Sequence, residues 1–308
     1  ILYLMTLAPT VTFEDSGELI AAAYHLGVPH EPGYPLFTML AHGFTLIPIG
    51  PVAYRVNMMS AFFSSLGAMS VTWAVILLVE DVFSPKNSKT LNANVHSTLK
   101  FAAGLSAGIF TAAGFSNWEQ SVITEVYGLH TMFVGLLLLE TILWSRQNNS
   151  KSKKRLFYFI CLTLGLGLSN HPTTVLLIPA LFLYVLIVDR KFILDWRLIL
   201  RGSAGVLLGM LPYAYLPIAA ARHRIMNWGD PETLTNFWRT ITRHQYQSQE
   251  QHTFAKFISQ SSAYGHLLSE QWLPWFLIFA AIALAVLFKT QRKYFYLSLC
   301  LLLFTGPV

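Results

Sequence analysis

Side chains that can accept or hold protons are concentrated in the first forty residues of this chain. The stretch TFEDSGELIAAAYHLGVPHEPGYPLF, residues 12–37, contains four carboxylates and two histidines. A carboxylate at a water-accessible position can take the proton of an attacking hydroxyl group. Asp15 and the nearby Glu18 are therefore candidates for a general base.

The same two carboxylates also fit the beginning of a helix. Asp15 as the N-cap and Glu18 three residues later form a capping box, and the apolar run LIAAAYHL that follows ends at Gly27. Capping does not exclude a role as base, because bonds from backbone N–H groups hold a carboxylate rigidly. The pattern predicts a short capped helix after Asp15 and leaves both roles open.

The next segment, VPHEPGYPLF, is stiff, because it has three prolines and one glycine within seven residues. Proline fixes its own φ angle, which favours an extended backbone here. This segment is either a plain connector to a helix beginning near Leu36 or a binding loop that presents His30, Glu31 and Tyr34. The residues alone do not decide between these interpretations.

Further candidates adjoin apolar runs. Arg55 begins a long apolar run, where it could anchor the chain at a membrane interface or bind a phosphate. Glu125 and Tyr127 precede another run, where aromatic residues could form an interfacial belt. His171, in the reversal GLSNHPTT, is either a hydrogen-bonded core histidine or part of a cavity lining beside Asn170.

The segment ARHRIMNWGDPETLTNFWRTITRHQYQSQEQHTF, residues 221–254, combines arginines with aromatic and acidic residues. Arg222 and Arg224 are candidates for phosphate binding, because a guanidinium group can grip phosphate at two points. The turn NWGDPET would place Trp228 and Asp230, and an aromatic face beside a carboxylate suits a sugar. A solvated amphipathic helix explains residues 233–247 equally well.

The elements that position these residues belong to a membrane protein. The chain has 308 residues, of which 54% are hydrophobic and 12% charged, whereas about 25% are charged in an average soluble domain. Apolar runs recur along the sequence, which predicts an all-α, polytopic membrane helical bundle that forms one domain over residues 1–308. Both ends lie in or beside apolar runs and are predicted to be cut from a longer protein.

The basic residues predict which side of the membrane each loop occupies. Fifteen of the 21 Lys and Arg residues fall in four short segments, 81–100, 146–155, 189–201 and 289–293, which the positive-inside rule assigns to the cytoplasm. Ten of the 15 acidic residues then fall on the opposite side, so a reaction centre is expected to face the lumen, periplasm or exterior. About nine spans follow, at residues 1–10, 52–79, 101–116, 128–145, 156–170, 173–188, 198–220, 272–288 and 294–308.

The motifs limit the chemistry further. The sequence has no metal motif of usual spacing and no glycine-rich phosphate loop, so neither a metal nor another cofactor is expected and a nucleotide-driven reaction is disfavoured. Nucleic acid is not an expected partner either. The basic residues lie in short loops between apolar runs instead of along one soluble face.

Six segments together resemble the transmembrane protein 260 family, which belongs to the multi-spanning glycosyltransferases of the C superfamily (GT-C). They are DSGELIAAAYHLGVPHEPGYPLFTMLAH, IGPVAYRVNMMSAFFSS, SVITEVYGLHTMFVGLLL, GLGLSNHPTTVLLIPAL, GMLPYAYLPIAAA and NWGDPETLTNFW. The resemblance runs in order from about residue 12 to residue 240. The family pattern has Pro where this chain has Glu31.

The resemblance implies a GT-C-like fold, whose outer loops carry short amphipathic helices, and an enzyme that works on the lumenal face. Such an enzyme takes a sugar, mannose in the eukaryotic members, from a dolichyl or undecaprenyl phosphate and attaches it to Ser or Thr of a protein. Its partners are thus the lipid-linked sugar, a protein acceptor and membrane lipid. The membrane is the endoplasmic reticulum in a eukaryote and the inner membrane in a bacterium.

The resemblance also implies roles for the candidate residues. In that superfamily the base is usually an acidic residue of the first outer loop, which maps onto Asp15, with Glu18 close by. Asp15 would take the proton of the attacking hydroxyl, and the anomeric carbon would be inverted. Arg55, Arg222 and Arg224 are expected at the donor phosphate. The sugar and the acceptor are expected to contact His30, Tyr34, Glu125, Tyr127, His171, Trp228 and Asp230.

Two other functions stay open at this stage. A related lipid-linked sugar transferase could act on a glycan or a lipid, and the sequence to residue 308 does not separate that reaction from transfer to protein. A transporter would instead place ionisable residues at mid-membrane within the spans. Only Glu140 is a clear candidate for such a residue, and it falls in the cytoplasmic half of its predicted span.

Overall fold

The computed structural model describes residues 1–83, 92–223, 225–247, 253–271 and 274–305. Within these ranges every regular element is helical, which confirms the predicted all-α class, and one isolated bridge joins Val28 to Asn227. Two short 3₁₀ segments, Pro172–Leu177 and Leu211–Ala214, lie between α-helices. The α-helices are α1 (Leu2–Met5), α2 (Ser16–His25), α3 (Pro35–Thr45), α4 (Val52–Val82), α5 (Ala93–Ala113), α6 (Phe115–Ser121), α7 (Tyr127–Ser145), α8 (Ser150–Asn170), α9 (Ile178–Val188), α10 (Arg190–Leu194), α11 (Trp196–Gly209), α12 (Tyr215–Ala220), α13 (Leu234–Ile241), α14 (His244–Gln247), α15 (Phe254–Gln271), α16 (Pro274–Thr290) and α17 (Arg292–Thr305).

Among the described residues, α4 and α7 are each long and apolar enough to cross a membrane. The number rises to five if each of three bent helix pairs counts as one span. The predicted nine spans are therefore not confirmed. Segments such as α9 and α17 have 11 and 14 residues, whereas a helix needs about 20 residues to cross the hydrocarbon core. The three bent pairs are Asn94–Ala113 with Phe115–Ser121, Trp196–Gly209 with Leu211–Ala220, and Phe254–Glu270 with Trp275–Thr290.

Glycines allow α4 and α7 to pack closely along the centre of the bundle. A Cβ atom added to Gly67 would lie 2.8 Å from the Thr131 backbone, and one added to Gly135 would lie 2.7 Å from the Gly67 carbonyl oxygen. Small residues at such crossings let helix backbones approach each other in a membrane. The segment before α7 therefore meets the first turns of α4, where the Thr124 hydroxyl donates to the Asn57 amide oxygen at 2.5 Å.

Basic residues gather at the opposite end of α4 and α7. Arg146 donates to Glu80 at 2.9 Å and to Asp81 at 2.8 Å, and Lys293 lies 3.4 Å from Asp81. Two of the basic segments predicted to be cytoplasmic thus meet at one end of the bundle. The stretch of α4 from Asn57 to Asp81 is about 36 Å long at about 1.5 Å per residue. The bundle therefore separates this ionic cluster from the residues around Asn57 by about the thickness of a membrane.

A second close crossing, between α8 and α11, gives the first testable prediction. A Cβ atom at Gly165 would overlap the Val206 carbonyl oxygen and lie 2.9 Å from the Gly209 Cα atom. We expect Gly165→Ala to lower the free energy of unfolding by about 1–3 kcal/mol, because the two backbones must separate. Thermal unfolding of the purified protein in nanodiscs measures this change.

Gly43 in α3 provides the matched control. It is also helical, but a Cβ atom added there meets no other atom within 4 Å. Gly43→Ala should therefore leave the protein unchanged or stabilise it by about 0.5–1 kcal/mol, as removing an unconstrained glycine from a helix does. Equal melting temperatures for the two variants would show that α8 and α11 do not cross at Gly165.

Candidate active site

The site is built on α2 and on the loop that follows it. Asp15 directly precedes α2, but its side chain makes no capping bond. The predicted capping box is therefore wrong, because Glu18 bonds to the loop at His30 instead of to the start of its own helix. The helix ends at His25, two residues before the predicted stop at Gly27, with Leu26 as its C-cap in the left-handed conformation at a φ of 51°.

His30 lies between two carboxylates. Its backbone N–H donates to Glu18 Oε1 at 2.5 Å, and its Nδ1 lies 3.2 Å from Glu18 Oε2. On the other side of the ring, Nε2 lies 3.7 Å from Asp15 Oδ2 and 3.2 Å from the Tyr34 hydroxyl. His30 is 9% exposed, whereas 55% of the Asp15 side chain is accessible. Glu18 and Tyr34 thus fix the ring, which faces Asp15, the more accessible of its two carboxylate neighbours.

The protonation of His30 and Glu18 follows from this pairing. Burial alone would lower the pKa of His30, but the bond from Glu18 and the charges of Glu18, Asp15 and Glu125 together raise it. Burial would raise the pKa of Glu18, but the two hydrogen bonds and the charge of His30 together lower it. The pair therefore favours a protonated imidazole and an ionised Glu18. A cationic His30 would stabilise negative charge on Asp15.

The same three residues have the geometry of a small cation site. Asp15, Glu18 and His30 each offer one ligand atom, and these atoms lie within 4.8 Å of one another. Both ring nitrogens of His30 already contact a partner, Glu18 on one side and Tyr34 on the other. A cation would have to displace either the Glu18 contact or the Tyr34 contact to use this imidazole.

Glu125 supplies a second carboxyl group with a different character. Its side chain is 3% exposed, and Oε1 has no hydrogen-bond partner. Burial and the nearby charges of Asp15 and Glu14 raise the pKa of Glu125 to about 7. Asp15 and Glu125 therefore form a pair of neighbouring carboxyl groups, one exposed and one buried, and the buried one is half protonated near neutral pH.

Aromatic rings form the inner wall beside these carboxyl groups. Tyr34 stacks on His171 with ring centroids 5.9 Å apart, and Tyr127 lies 5.4 Å from the same imidazole. The neighbouring Asn170 amide donates to the Val126 carbonyl at 3.2 Å. The reversal between α8 and the following 3₁₀ segment thus packs against the residues that begin α7. The structure brings His171 to Tyr34 and Tyr127, and its cavity-lining role stays a prediction.

The sequence pattern did not single out His130. Its ring lies 5.4 Å from the His171 ring, within the same aromatic wall. His130 follows Tyr127 by three residues on α7, so both residues share one face of that helix. This spacing was the available signal.

Residues 226–247 form an outer segment that covers the loop at His30. Two backbone hydrogen bonds join Val28 to this segment. The Val28 N–H donates to Met226 O at 2.9 Å, and the Trp228 N–H donates to Val28 O at 3.0 Å. The indole of Trp228 donates to the Gln245 side chain at 3.0 Å and is 44% exposed. Asp230 accepts from Asn227 at 2.8 Å, which forms the predicted turn. Trp228 therefore lies on the accessible side of the site, and Asp230 holds the turn.

The arginines predicted to bind phosphate have different positions. The guanidinium of Arg55 donates to the carbonyl oxygens of Thr45, Ile49 and Gly50, which fixes the loop between α3 and α4. Its predicted role at a phosphate stays untested. Arg222 is exposed just after α12, and Arg224 lies outside the described residues.

Comparison with known proteins finds relatives of this chain. Residues 15–193 match the family described as the Protein O-mannosyl-transferase TMEM260 N-terminal domain. The chain is 35% identical over 250 residues to Protein O-mannosyl-transferase TMEM260 of Mus musculus. The aligned region covers 79% of this chain and 32% of that protein. It is 29% identical over 260 residues to Protein O-mannosyl-transferase tmem260 of Dictyostelium discoideum, and this aligned region covers 80% of this chain and 29% of that protein. The chain thus spans about a third of the length of these relatives. No solved structure matches it.

Proposed function

Because this chain belongs to the protein O-mannosyl-transferase TMEM260 family, we propose that it holds the site at which mannose is transferred to Ser or Thr hydroxyls of an acceptor protein. The observation that carries the proposal is the accessible Asp15 carboxylate, which faces a His30 ring fixed by Glu18. An accessible carboxylate beside a fixed imidazole is suited to take the proton from an attacking hydroxyl. The activities named for the relatives belong to proteins about three times longer.

The proposed donor is mannose on a polyprenyl phosphate. The site lies at one end of apolar helices long enough to cross a membrane, so a lipid tail can stay in the bilayer while its head reaches Asp15. The basic cluster around Arg146 lies at the other end of α4 and α7. This separation supports a topology with the basic loops in the cytoplasm, about nine apolar segments in the membrane, and the site on the lumenal face of the endoplasmic reticulum or the periplasmic face of a bacterial inner membrane.

The proposed reaction is a single displacement. The acceptor oxygen attacks the anomeric carbon while the bond from that carbon to the phosphate oxygen breaks, and the electron pair of this bond stays on the phosphate. Asp15 takes the hydroxyl proton as the new bond forms. The chain has to position the two substrates and neutralise the leaving group, because the phosphate itself already leaves well. Neither a metal nor an organic cofactor has a step in this scheme.

Glu125 and the aromatic wall are proposed to hold the sugar. Tyr34, Tyr127 and His171 offer flat faces and hydroxyl groups, and Trp228 lies on the accessible side of the same loop. The buried Oε1 of Glu125 has no hydrogen-bond partner among the described residues, and we assign it a bond to a sugar hydroxyl. A protonated Glu125 can donate such a bond and avoids a second negative charge beside Asp15.

This role of Glu125 predicts a pH dependence. The pKa of Glu125 is raised to about 7, so the carboxyl group is protonated below that pH and ionised above it. We expect kcat/KM to decrease between about pH 6 and about pH 8, because the ionised form repels an anionic donor. Glu125→Gln, which is neutral at every pH, should keep most of the activity and lose this decrease. If kcat/KM of Glu125→Gln decreased with pH as steeply as that of the wild type, Glu125 would not be the cause of the decrease.

The proposal is tested by mannose transfer with the purified full-length protein. Dolichyl-phosphate mannose and GDP-mannose are supplied in separate reactions, each with a panel of protein, glycan and lipid acceptors. We expect label from the lipid-linked donor alone to appear on Ser or Thr of a protein. Consumption of GDP-mannose, or no consumption of either donor, would refute the proposed reaction. Label on a glycan or lipid alone would keep the donor and replace the acceptor class.

A further inference from the structure

Arg243 is a cation that the proposed mechanism has not used. It follows α13 and has a left-handed backbone with a φ of 55°. Its backbone N–H donates to Thr240 O at 3.1 Å, and its guanidinium lies over the Tyr246 ring, 4.9 Å from the centroid. The Nε atom is buried and has no hydrogen-bond partner. Within the described parts of the chain, no carboxylate forms an ion pair with Arg243.

Arg243 lies beside the aromatic wall of the site. It is close enough to Tyr34, Tyr127 and His171 for its charge to act on all three rings. At Tyr34, burial raises the pKa of the hydroxyl, and the charge of Arg243 opposes that shift. The arginine therefore supplies positive charge to the wall on which the sugar is proposed to lie.

One buried carboxylate holds this part of the chain in place. Glu31 is 6% exposed, and its Oε2 accepts the Gln245 backbone N–H at 3.0 Å. Gln245 is two residues beyond Arg243, and Glu31 is adjacent to His30. The bond thus joins two segments that are 214 residues apart in sequence and holds the segment that carries Arg243 against the loop at His30.

We propose that Arg243 binds the phosphate of the lipid-linked sugar and that Glu31 positions it through the Gln245 backbone. This inference rests on the proposed function. A guanidinium presents its N–H donors in a rigid planar fork that matches phosphate oxygens. The phosphate gains negative charge as its bond to the anomeric carbon breaks, so a fixed cation stabilises the transition state. Arg55, by contrast, spends its donors on three backbone carbonyls.

The first test compares Arg243→Gln with Arg239→Gln in full-length protein. Arg239 is an exposed arginine of α13, so both variants lose one positive charge from neighbouring positions. We expect Arg243→Gln to raise KM for dolichyl-phosphate mannose by about 10- to 100-fold and also to lower kcat, because it removes charged hydrogen bonds to the phosphate of the bound donor that strengthen in the transition state. Product inhibition by dolichyl phosphate should weaken in parallel, and Arg239→Gln should stay within about twofold of wild type. Arg243→Lys should fall between Arg243→Gln and wild type, since it keeps the charge without the fork.

The second test separates positioning by Glu31 from a general loss of structure. Glu31→Gln keeps an acceptor oxygen for the Gln245 N–H and should keep the wild-type KM, whereas Glu31→Met should raise KM as Arg243→Gln does. The double variant Glu31→Met/Arg243→Gln should have the same KM as Arg243→Gln, because both changes remove the same interaction with the phosphate. A merely structural role would instead reduce the yield and kcat without a change in KM.

Two different failures can be told apart. If wild type and Arg243→Gln share one KM and one sensitivity to dolichyl phosphate, the phosphate role of Arg243 is wrong and the proposed function stands. If wild type consumes no polyprenyl-phosphate sugar, the proposed function fails and this inference fails with it. Inorganic phosphate could also inhibit the wild type as strongly as dolichyl phosphate does. If that inhibition were lost in Arg243→Gln, Arg243 would belong to a free-anion site instead of a lipid-phosphate site.

Discussion

Replacing Asp15 with Asn is expected to lower kcat for mannose transfer by about 10²- to 10⁴-fold, the usual contribution of general-base catalysis. The amide has the same shape and can still lie beside His30, but it cannot take the proton of the acceptor hydroxyl. The initial rate of transfer from dolichyl-phosphate mannose, at saturating donor and acceptor, measures this effect. KM for the donor should change little, because the phosphate is bound elsewhere.

Glu119→Gln is the control for this experiment. Glu119 is an exposed carboxylate in α6, before the segment that carries Glu125, and its loss removes the same charge from the same side of the bundle. It should leave kcat unchanged. If Asp15→Asn kept the turnover of Glu119→Gln, Asp15 would not be the base, and the pairing with His30 would be structural only.

The second large effect is expected on stability, from Asn57→Leu. Asn57 is fully buried in α4 and joins three parts of the chain. Its amide donates to Ala8 O at 2.8 Å and to Thr10 O at 3.1 Å, while its oxygen accepts from the Thr124 hydroxyl at 2.5 Å. Leucine has a similar volume but satisfies none of these groups. The buried Thr124 hydroxyl left without a partner should cost about 1–3 kcal/mol, and the lost bonds to the less buried Ala8 and Thr10 carbonyls about 0.5–1.5 kcal/mol each, so the loss should total about 2–6 kcal/mol.

A loss of that size is a large fraction of the net stability of a folded domain, which is about 5–15 kcal/mol. Thermal unfolding in nanodiscs should therefore show a strongly lowered midpoint and a low yield of folded protein. Asn94→Leu, at an exposed position of α5, provides the matched control and should unfold like the wild type. A wild-type midpoint for Asn57→Leu would mean that residues 8–10 and 124 are not held together through Asn57.

The residue types near the N-terminus indicate candidate side chains, but they do not predict which of these side chains meet. Asp15, Glu18, His30 and Tyr34 were chosen from a short polar stretch, and the structure gathers them around one imidazole. The capping box failed for a physical reason. Glu18 had two sets of N–H donors within reach, and the folded loop at His30 offered the better one. The spacing of Asp15 and Glu18 in the sequence indicates only the N–H donors of α2, not those of a loop that folds against it.

The arginines were not predictable in the same way. Whether a guanidinium faces a pocket depends on contacts across the whole chain. Arg55 closes its own loop, whereas Arg243 is placed by a bond between Glu31 and Gln245, 214 residues apart. The predicted nine spans are not confirmed by helix length, because apolar composition alone does not distinguish a short helix such as α9 from one long enough to cross a bilayer.

The measurement that tests the central claim most directly is the anomeric configuration of the mannose that the full-length protein transfers. The donor is dolichyl-phosphate mannose of known configuration, and NMR of the glycosylated acceptor gives the configuration of the product. A single displacement with Asp15 as base predicts the opposite anomer, because the hydroxyl attacks the face away from the phosphate. The same anomer in donor and product, or mannose bound covalently to Asp15, would show a two-step reaction through a nucleophile and would contradict the proposed mechanism.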